Sequence, residues 1–296
     1  MFATSLLQSE DTKKLAAVLD SDRSCVALLA PSFVVDFSFK TIAPALRALG
    51  FEIVSEVTFG AKMVSQAYHH TIKDTQHLHI SSACPGIVRL VKTKFPALTK
   101  QLVQIDSPMI AMGKIMKQNY PEKKTIFIGP CALKKQEAKE SSAIDHAITF
   151  KELHELFAAA EVSPHDSRFQ NQKGFDSFYN DYTKIYPLAG GLSESMHYHN
   201  ILERDQVKVS DDMKNVIALL QQTADGEHGS TIRFLDVLTC KGGCIGGPGI
   251  ATSDSLEKRH DRVEAYRSHA RHAKVGGTRV GLSKYVKDVT FTHNYE

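Results

Sequence analysis

Short apolar runs alternate with amphipathic stretches along most of the chain, and the change of period between them separates strands from helices. Residues 25–30 (CVALLA) form an unbroken apolar run that ends at Pro31-Ser32, and 39–49 then carries apolar residues at helical spacing until Gly50. This predicts a strand, a loop and a helix. Residues 51–58 alternate with period two, 61–72 return to helical spacing, and 77–82 (HLHISS) form a short strand that runs into Ala83-Cys84-Pro85. Helical spacing resumes over 88–95. After Pro121 the unit recurs, with 125–128 (TIFI) running into Gly129-Pro130-Cys131 and the helix-prone 133–139, and later 233–238 (RFLDVL) runs into Thr239-Cys240. Repeated strand-then-helix units predict an α/β fold of two lobes, each a mostly parallel sheet flanked by helices. Residues 162–202, rich in Asn, Asp, Tyr, Gly and Ser, are expected to be loops and short elements. The tail, 251–296, is strongly charged and ends in an alternating segment, 285–293 (YVKDVTFTH), expected to be an edge strand or an extended arm.

Four polar or cysteine-bearing corners, at Pro31-Ser32, Cys84, Cys131 and Cys240, each fall just beyond a predicted strand. In open parallel sheets ligands bind beyond the carboxyl ends of the strands, so four such corners facing one crevice would build one site. Composition narrows what that site can be. With 296 residues, 42% apolar and 23% charged, the chain has ordinary globular composition rather than that of a disordered protein. Its 36 basic and 33 acidic side chains are too evenly balanced for a nucleic-acid-binding stripe. Residues 1–14 lack the features of a secretory signal, and no apolar run approaches the roughly 18 residues of a membrane helix, so a cytoplasmic protein is expected. In that reducing compartment, clustered cysteines point to metal ligation or redox chemistry rather than to disulfides.

Three segments carry the chemistry: Ser81-Ser82-Ala83-Cys84-Pro85-Gly86, then Gly129-Pro130-Cys131-Ala132-Leu133-Lys134-Lys135-Gln136-Glu137, then Leu238-Thr239-Cys240-Lys241-Gly242-Gly243-Cys244-Ile245-Gly246-Gly247-Pro248-Gly249. Four thiolates suit a soft metal centre, and iron-sulfur clusters are most often held by four cysteines. Proline and glycine beside the thiols supply rigid turns and close backbone approach. Structural zinc more often uses two close Cys pairs, a dithiol redox site needs C-x-x-C, and unrelated buried thiols would not carry Pro or Gly at three segments. Cys25 lies in an apolar strand without turn residues and reads as core.

In order and separation these segments resemble the three signatures of the iron-only (FeFe) hydrogenase catalytic domain, T-S-C-C-P, P-C-x-x-K-x-x-E and C-x-G-G-C-x-x-G-G-G. Ala30-Pro31-Ser32 resembles the family's A-P-S loop, and the likeness extends over nearly the whole chain from about Cys25 onward. It implies an H-cluster: a 4Fe-4S cubane joined through one cysteine sulfur to a diiron unit with CO, cyanide and azadithiolate ligands. Carried over, Cys84, Cys131, Cys240 and Cys244 would hold the cubane, and Cys244 would also bridge to the diiron unit. Lys134 would hydrogen-bond one cyanide, Pro31 and Ser32 would contact the other, and Glu137 would pair with a nearby base. Met109, Gly129 and Leu238 would complete the cofactor pocket. The resemblance implies one domain over 1–296, with lobes near 1–120 and 121–250 and a charged extension, and no ferredoxin-like domain ahead of Cys25. It also implies an external electron carrier such as ferredoxin, which the pairs Lys123-Lys124 and Lys134-Lys135 could attract, and hydrogenase maturation proteins.

The chain departs from the family pattern at the proton relay. Ala83 stands where the family has the first cysteine of C-C-P, which passes protons to the bridging amine, and the relay's glutamate would fall near Tyr68. Gly129 and Leu238 replace methionines, Ile87 a tryptophan and Met109 a glutamine. A positioned acid or base contributes roughly 100- to 10,000-fold, so a slow catalyst is expected. These changes resemble the family's sensory branches, where hydrogen detection would need a signalling partner. His197 or His199 could substitute as proton donor, and His69-His70, His77 and His79 offer a minor metal-binding alternative. Two other readings stand beside the hydrogenase: a Nar1/Narf-like protein holding only the 4Fe-4S cluster and acting in cluster assembly, which also has alanine before the first ligand cysteine, and a degenerate scaffold with zinc or no metal.

Overall fold

The computed structural model describes residues 2–21, 24–176, 182–272 and 285–296. Among these, seven strands occur: β1 Cys25–Leu29, β2 Ile53–Glu56, β3 His79–Ile80, β4 Lys124–Gly129, β5 His146–Thr149, β6 Val207–Ser210 and β7 Phe234–Val237. The α-helices are α1 Glu10–Ser21, α2 Ile42–Ala48, α3 Thr58–Lys73, α4 Pro85–Lys94, α5 Pro108–Asn119, α6 Leu133–Lys139, α7 Phe150–Ala159, α8 Gly191–Ser195, α9 Met213–Ala224 and α10 Leu256–His272. All five residues of β1 are fully buried, as the unbroken apolar run requires of a strand covered on both faces. It pairs in parallel with β2 and β4, and β4 with β5, giving a sheet of order β2-β1-β4-β5. A second parallel sheet has the order β3-β7-β6. The fold is α/β, with parallel sheets flanked by helices, as the alternating pattern predicts.

Each sheet draws strands from both sides of residue 120, since β4 joins β1 and β7 joins β3. The expected division of the lobes at 120 therefore does not describe the sheets; parallel pairing needs a crossover, and the crossovers interleave the two halves. Prolines begin the helices that flank the site: Pro85 opens α4 directly after Cys84, and Pro108 opens α5 after Ser107, whose hydroxyl accepts the Ile110 amide. β3 is shorter than the predicted 77–82 because the Ser82 N–H donates to the Tyr68 hydroxyl at 2.7 Å rather than to a neighbouring strand.

The charged tail contains a long helix that its composition hides. α10 buries only Val263, Tyr266 and Ala270, a narrow stripe packed on the turns Pro31–Val35 and Tyr182–Ile185. The expected terminal strand is an extended arm: Thr292 bridges Ile105, Asp106 N–H donates to the Phe291 carbonyl at 2.8 Å, and Tyr295 is buried with its hydroxyl on the Ile105 carbonyl.

Candidate metal centre

Beyond the carboxyl ends of β1 and β4 in one sheet and β3 and β7 in the other, the four corners line a single cavity of about 100 Å³. Cys84, Cys131, Cys240 and Cys244 are all in its wall and all half-buried, whereas Cys25 is fully buried in β1. The C-x-G-G-C turn folds as it does because both central residues are left-handed, Gly242 at φ +78° and Gly243 at φ +80°. A Cβ on Gly243 would stand 2.5 Å from the Pro187 carbonyl oxygen, the same oxygen that accepts the Cys244 N–H at 2.7 Å. Downstream, a Cβ on Gly247 would stand 2.6 Å from the Pro130 carbonyl, so glycine there lets the third segment lie against the Cys131 corner.

The thiols are electrostatically coupled. Burial pushes Cys131, Cys240 and Cys244 up, the other three sulfurs push Cys244 further, and the Lys134 charge opposes this at Cys131 and Cys244. The Thr239 hydroxyl is 3.6 Å from Cys84 Sγ and 4.0 Å from Cys240 Sγ. Metal binding would relieve the cost of ionising these thiols together. Among the described residues no three His, Cys, Asp or Glu side chains converge on a point that a single ion could occupy. Four sulfurs spread around one cavity could instead hold a larger iron-sulfur cluster. The wall beyond them fits a group with anionic acceptors: Ser32 is 1% exposed and its hydroxyl has no partner among the described residues, and the Lys134 side chain is 12% exposed.

Pro31, Ser32, Ala83, Met109, Lys134 and Leu238 line the same cavity. Lys134 Nζ donates to Glu137 Oε2 at 2.6 Å and lies 3.4 Å from the Ala83 carbonyl. Gly129 is not in the wall, because Phe127 takes that space; a Cβ on Gly129 would stand 2.5 Å from the Phe127 ring. Ile87 packs in the core under α4. Tyr68 is fully buried and its hydroxyl is 2.7 Å from the Ser82 hydroxyl, so it ties down the backbone before Ala83.

Three lysines of the two pairs expected to attract a carrier make ion pairs within the chain. Lys134 is spent on Glu137, Lys135 on Asp11 and Glu152, and Lys123 on Glu52 and Glu122. Nor do the histidines serve the site. His197 and His199 are absent from the cysteine cavity, and His197 lines a separate pocket with His69 and His70. The His77 and His79 rings lie tilted with centroids 4.3 Å apart, and His79 Nε2 is held 2.6 Å from the Thr75 hydroxyl.

Two polar residues in the wall escaped the sequence reading. Asp236, on β7, is 3% exposed and accepts the Ser193 hydroxyl at 2.7 Å and the Ser193 N–H at 2.9 Å. Burial pushes its carboxyl above the usual range. Tyr186 contributes a buried hydroxyl without a partner among the described residues. The available signal was the lone carboxylate in RFLDVL, a charged residue where a fully buried strand wants an apolar one.

The chain resembles known proteins over most of its length. It is 24% identical to iron hydrogenase 1 of Clostridium pasteurianum, covering 82% of this chain and 51% of that one. It is also 24% identical to the cytosolic Fe-S cluster assembly factor NAR1 of Encephalitozoon cuniculi, covering 67% and 60%. The chain thus spans between half and two thirds of these curated relatives. Among solved structures, a variant of FeFe-hydrogenase HydA1 from Chlamydomonas reinhardtii superposes with a TM-score of 0.68 at 16% identity, over 97% of this chain and 96% of that one. Residues 23–248 match the family model described as iron only hydrogenase large subunit, C-terminal domain, and to that family the chain belongs.

Proposed function

We propose that the chain binds a 4Fe-4S cluster through Cys84, Cys131, Cys240 and Cys244, with a diiron unit carrying CO, cyanide and azadithiolate ligands beside it, and interconverts protons, electrons and H2 slowly. The observation that carries this reading is the wall beyond the four sulfurs, where a buried unsatisfied Ser32 hydroxyl and the Lys134 ammonium lie among apolar side chains. When bound, the diiron unit supplies the redox chemistry of hydrogen. The protein's own groups do the rest. Lys134, oriented by Glu137, offers a cation and N–H donors to an anionic ligand, and the Ser32 hydroxyl offers another donor. Met109 and Leu238 keep that wall apolar and exclude water. Ala83 holds no proton, which supports low turnover and, with it, hydrogen sensing through a signalling partner. Electrons would reach the cubane from an external carrier such as ferredoxin, and maturation proteins would deliver the diiron unit.

The second reading is a cluster-assembly protein that holds only the cubane, favoured by Ala83 and by the similarity to the assembly factor. One experiment separates the two. The cubane is reconstituted, a synthetic diiron precursor is added, and infrared spectra are recorded in the CO and cyanide region alongside H2 uptake and evolution. Bound CO and cyanide bands with measurable turnover are expected. Cubane-loaded protein without those bands would overturn the hydrogenase reading in favour of the assembly one.

A further inference from the structure

We propose that Ser193 and Asp236 form a proton wire from solvent to the cysteine cavity, in place of the thiol that Ala83 lacks; this inference deepens the hydrogenase reading and rests on it. Asp236 lines the inner cavity with the four cysteines. Ser193, on α8, lines a second, solvent-open pocket of about 810 Å³, whose wall includes Glu194, Arg204, Val209, His260 and Glu264. The partition between the two spaces is crossed by one short hydrogen bond, Ser193 Oγ to Asp236 Oδ2 at 2.7 Å, within the reach that proton transfer requires.

The chemistry of the pair suits a relay rather than an ion pair. Among the described residues the side-chain hydrogen bonds to Asp236 come from Ser193 alone, through its hydroxyl and its N–H. Among the described residues no cation pairs with the carboxylate, and the group is 3% exposed, so an ionised carboxylate is costly and is readily reprotonated. Each delivery balances. The Asp236 O–H proton passes to a water in the cavity, the Ser193 hydroxyl proton passes to Oδ2, Ser193 Oγ takes a proton from hydronium in the outer pocket, and rotation of the carboxyl returns its O–H to the cavity side. One O–H bond forms for each that breaks, and no electron moves. The Tyr186 hydroxyl in the same wall has no hydrogen-bond partner among the described residues and stands beyond direct reach of Asp236. Neither member of the wire lies in a segment with a signature of its own, and both come from parts of the chain distant from Ala83.

The test uses cubane-loaded protein without the diiron unit. The carbonyl stretch of protonated Asp236 is assigned in the infrared by its loss in Asp236→Asn, and its shift after transfer to D2O reports how fast the carboxyl exchanges. Ser193→Ala is expected to slow that exchange roughly tenfold or more, while Ser193→Thr, which keeps the hydroxyl, exchanges near the parent rate. In fully loaded protein, Asp236→Asn and Ser193→Ala are expected to lower H2 turnover by about 100-fold, with the CO and cyanide bands retained. A spectrum in which Asp236→Asn removes no carboxylic acid band, or a Ser193→Ala protein that exchanges as fast as the parent, would overturn the wire. The exchange readout needs no diiron unit, so its outcome is separate from failure of the hydrogenase reading, which is judged on the CO and cyanide bands.

Discussion

Replacing Lys184 with methionine tests whether a buried ion pair anchors one wall of the site. Lys184 and Glu56 are among the least accessible charged residues of the fold, with side chains 2% and 8% exposed and an Nζ to Oε2 separation of 2.5 Å. The Tyr266 hydroxyl on α10 donates to the other Glu56 oxygen at 2.7 Å, and Lys184 Nζ also lies 4.3 Å from the centre of the Tyr266 ring. The pair therefore ties β2, the Tyr182–Ile185 turn and α10 together. Lys184→Met leaves the Glu56 carboxylate buried without its ammonium, a loss that costs about 3–5 kcal/mol. For a chain of 296 residues this corresponds to a fall in Tm of roughly 6–10 °C. Because the chain has no tryptophan, calorimetry and urea unfolding followed by circular dichroism are the suitable assays. Adding Glu56→Gln to Lys184→Met removes the stranded charge and should recover at least half of the loss. The damage should reach the site as well, since the same turn leads into Pro187, whose carbonyl holds the Cys244 N–H. A single variant within about 1 kcal/mol of the parent, or a double variant no more stable than the single one, would refute this account.

Three further outcomes are expected. Gly243→Ala forces a side chain into a left-handed residue against the Pro187 carbonyl and should abolish cubane loading, read as iron content and visible absorption, while a surface Gly226→Ala control loads normally. Burial, then the neighbouring His77 and Arg233 charges, hold His79 down to about 4, so the unfolded chain takes up this proton first as pH falls. Its stabilising effect is complete above the unfolded value of about 6.5 and is lost as pH falls to about 4, a change of roughly 3 kcal/mol, and the pH slope of unfolding free energy over that window should flatten in His79→Asn. Ala83→Cys restores a thiol at the cavity wall but leaves Tyr68 bound to Ser82 behind it, so H2 turnover should rise less than about tenfold; a gain of 100-fold or more would mean that the thiol alone completes the old relay.

How far the site was legible follows from what each residue's role depends on. Cys84, Cys131, Cys240, Pro31 and Ser32 were found because each lies at the end of a strand that apolar periodicity marks, and a parallel sheet brings such ends to one edge. α10 was missed because three buried residues among seventeen give no readable stripe, and its attachment to the body comes from Tyr266 bonding a glutamate 210 positions away. The same limit hid the fate of the lysines. Nothing local in Lys123 or Lys135 announces that Glu52 or Asp11 will pair with it, since both partners are distant in sequence. Asp236 was legible only as an exception, a carboxylate inside an otherwise apolar strand.

On the proposed reading, the retention of all four thiols beside an altered relay position has a physical answer in the way the two are built. The thiols come from the ends of β3, β4 and β7, so on the proposed reading the cluster ties the two sheets to each other at their carboxyl edges. Replacing any one thiol would leave an open coordination position and weaken a contact that both sheets share. Ala83 carries no such load. Its carbonyl meets Lys134 at 3.4 Å whatever its side chain, so the position can change from thiol to methyl without disturbing the wall. Proton delivery, in turn, needs only a chain of oxygens within hydrogen-bond reach, and a fold can supply that from any face where a buried acid meets a hydroxyl on the wall of an open pocket. The Asp236 to Ser193 contact brings a buried acid to a hydroxyl on the wall of an open pocket, so on the proposed wire the alanine would mark a displaced proton entrance rather than a closed one.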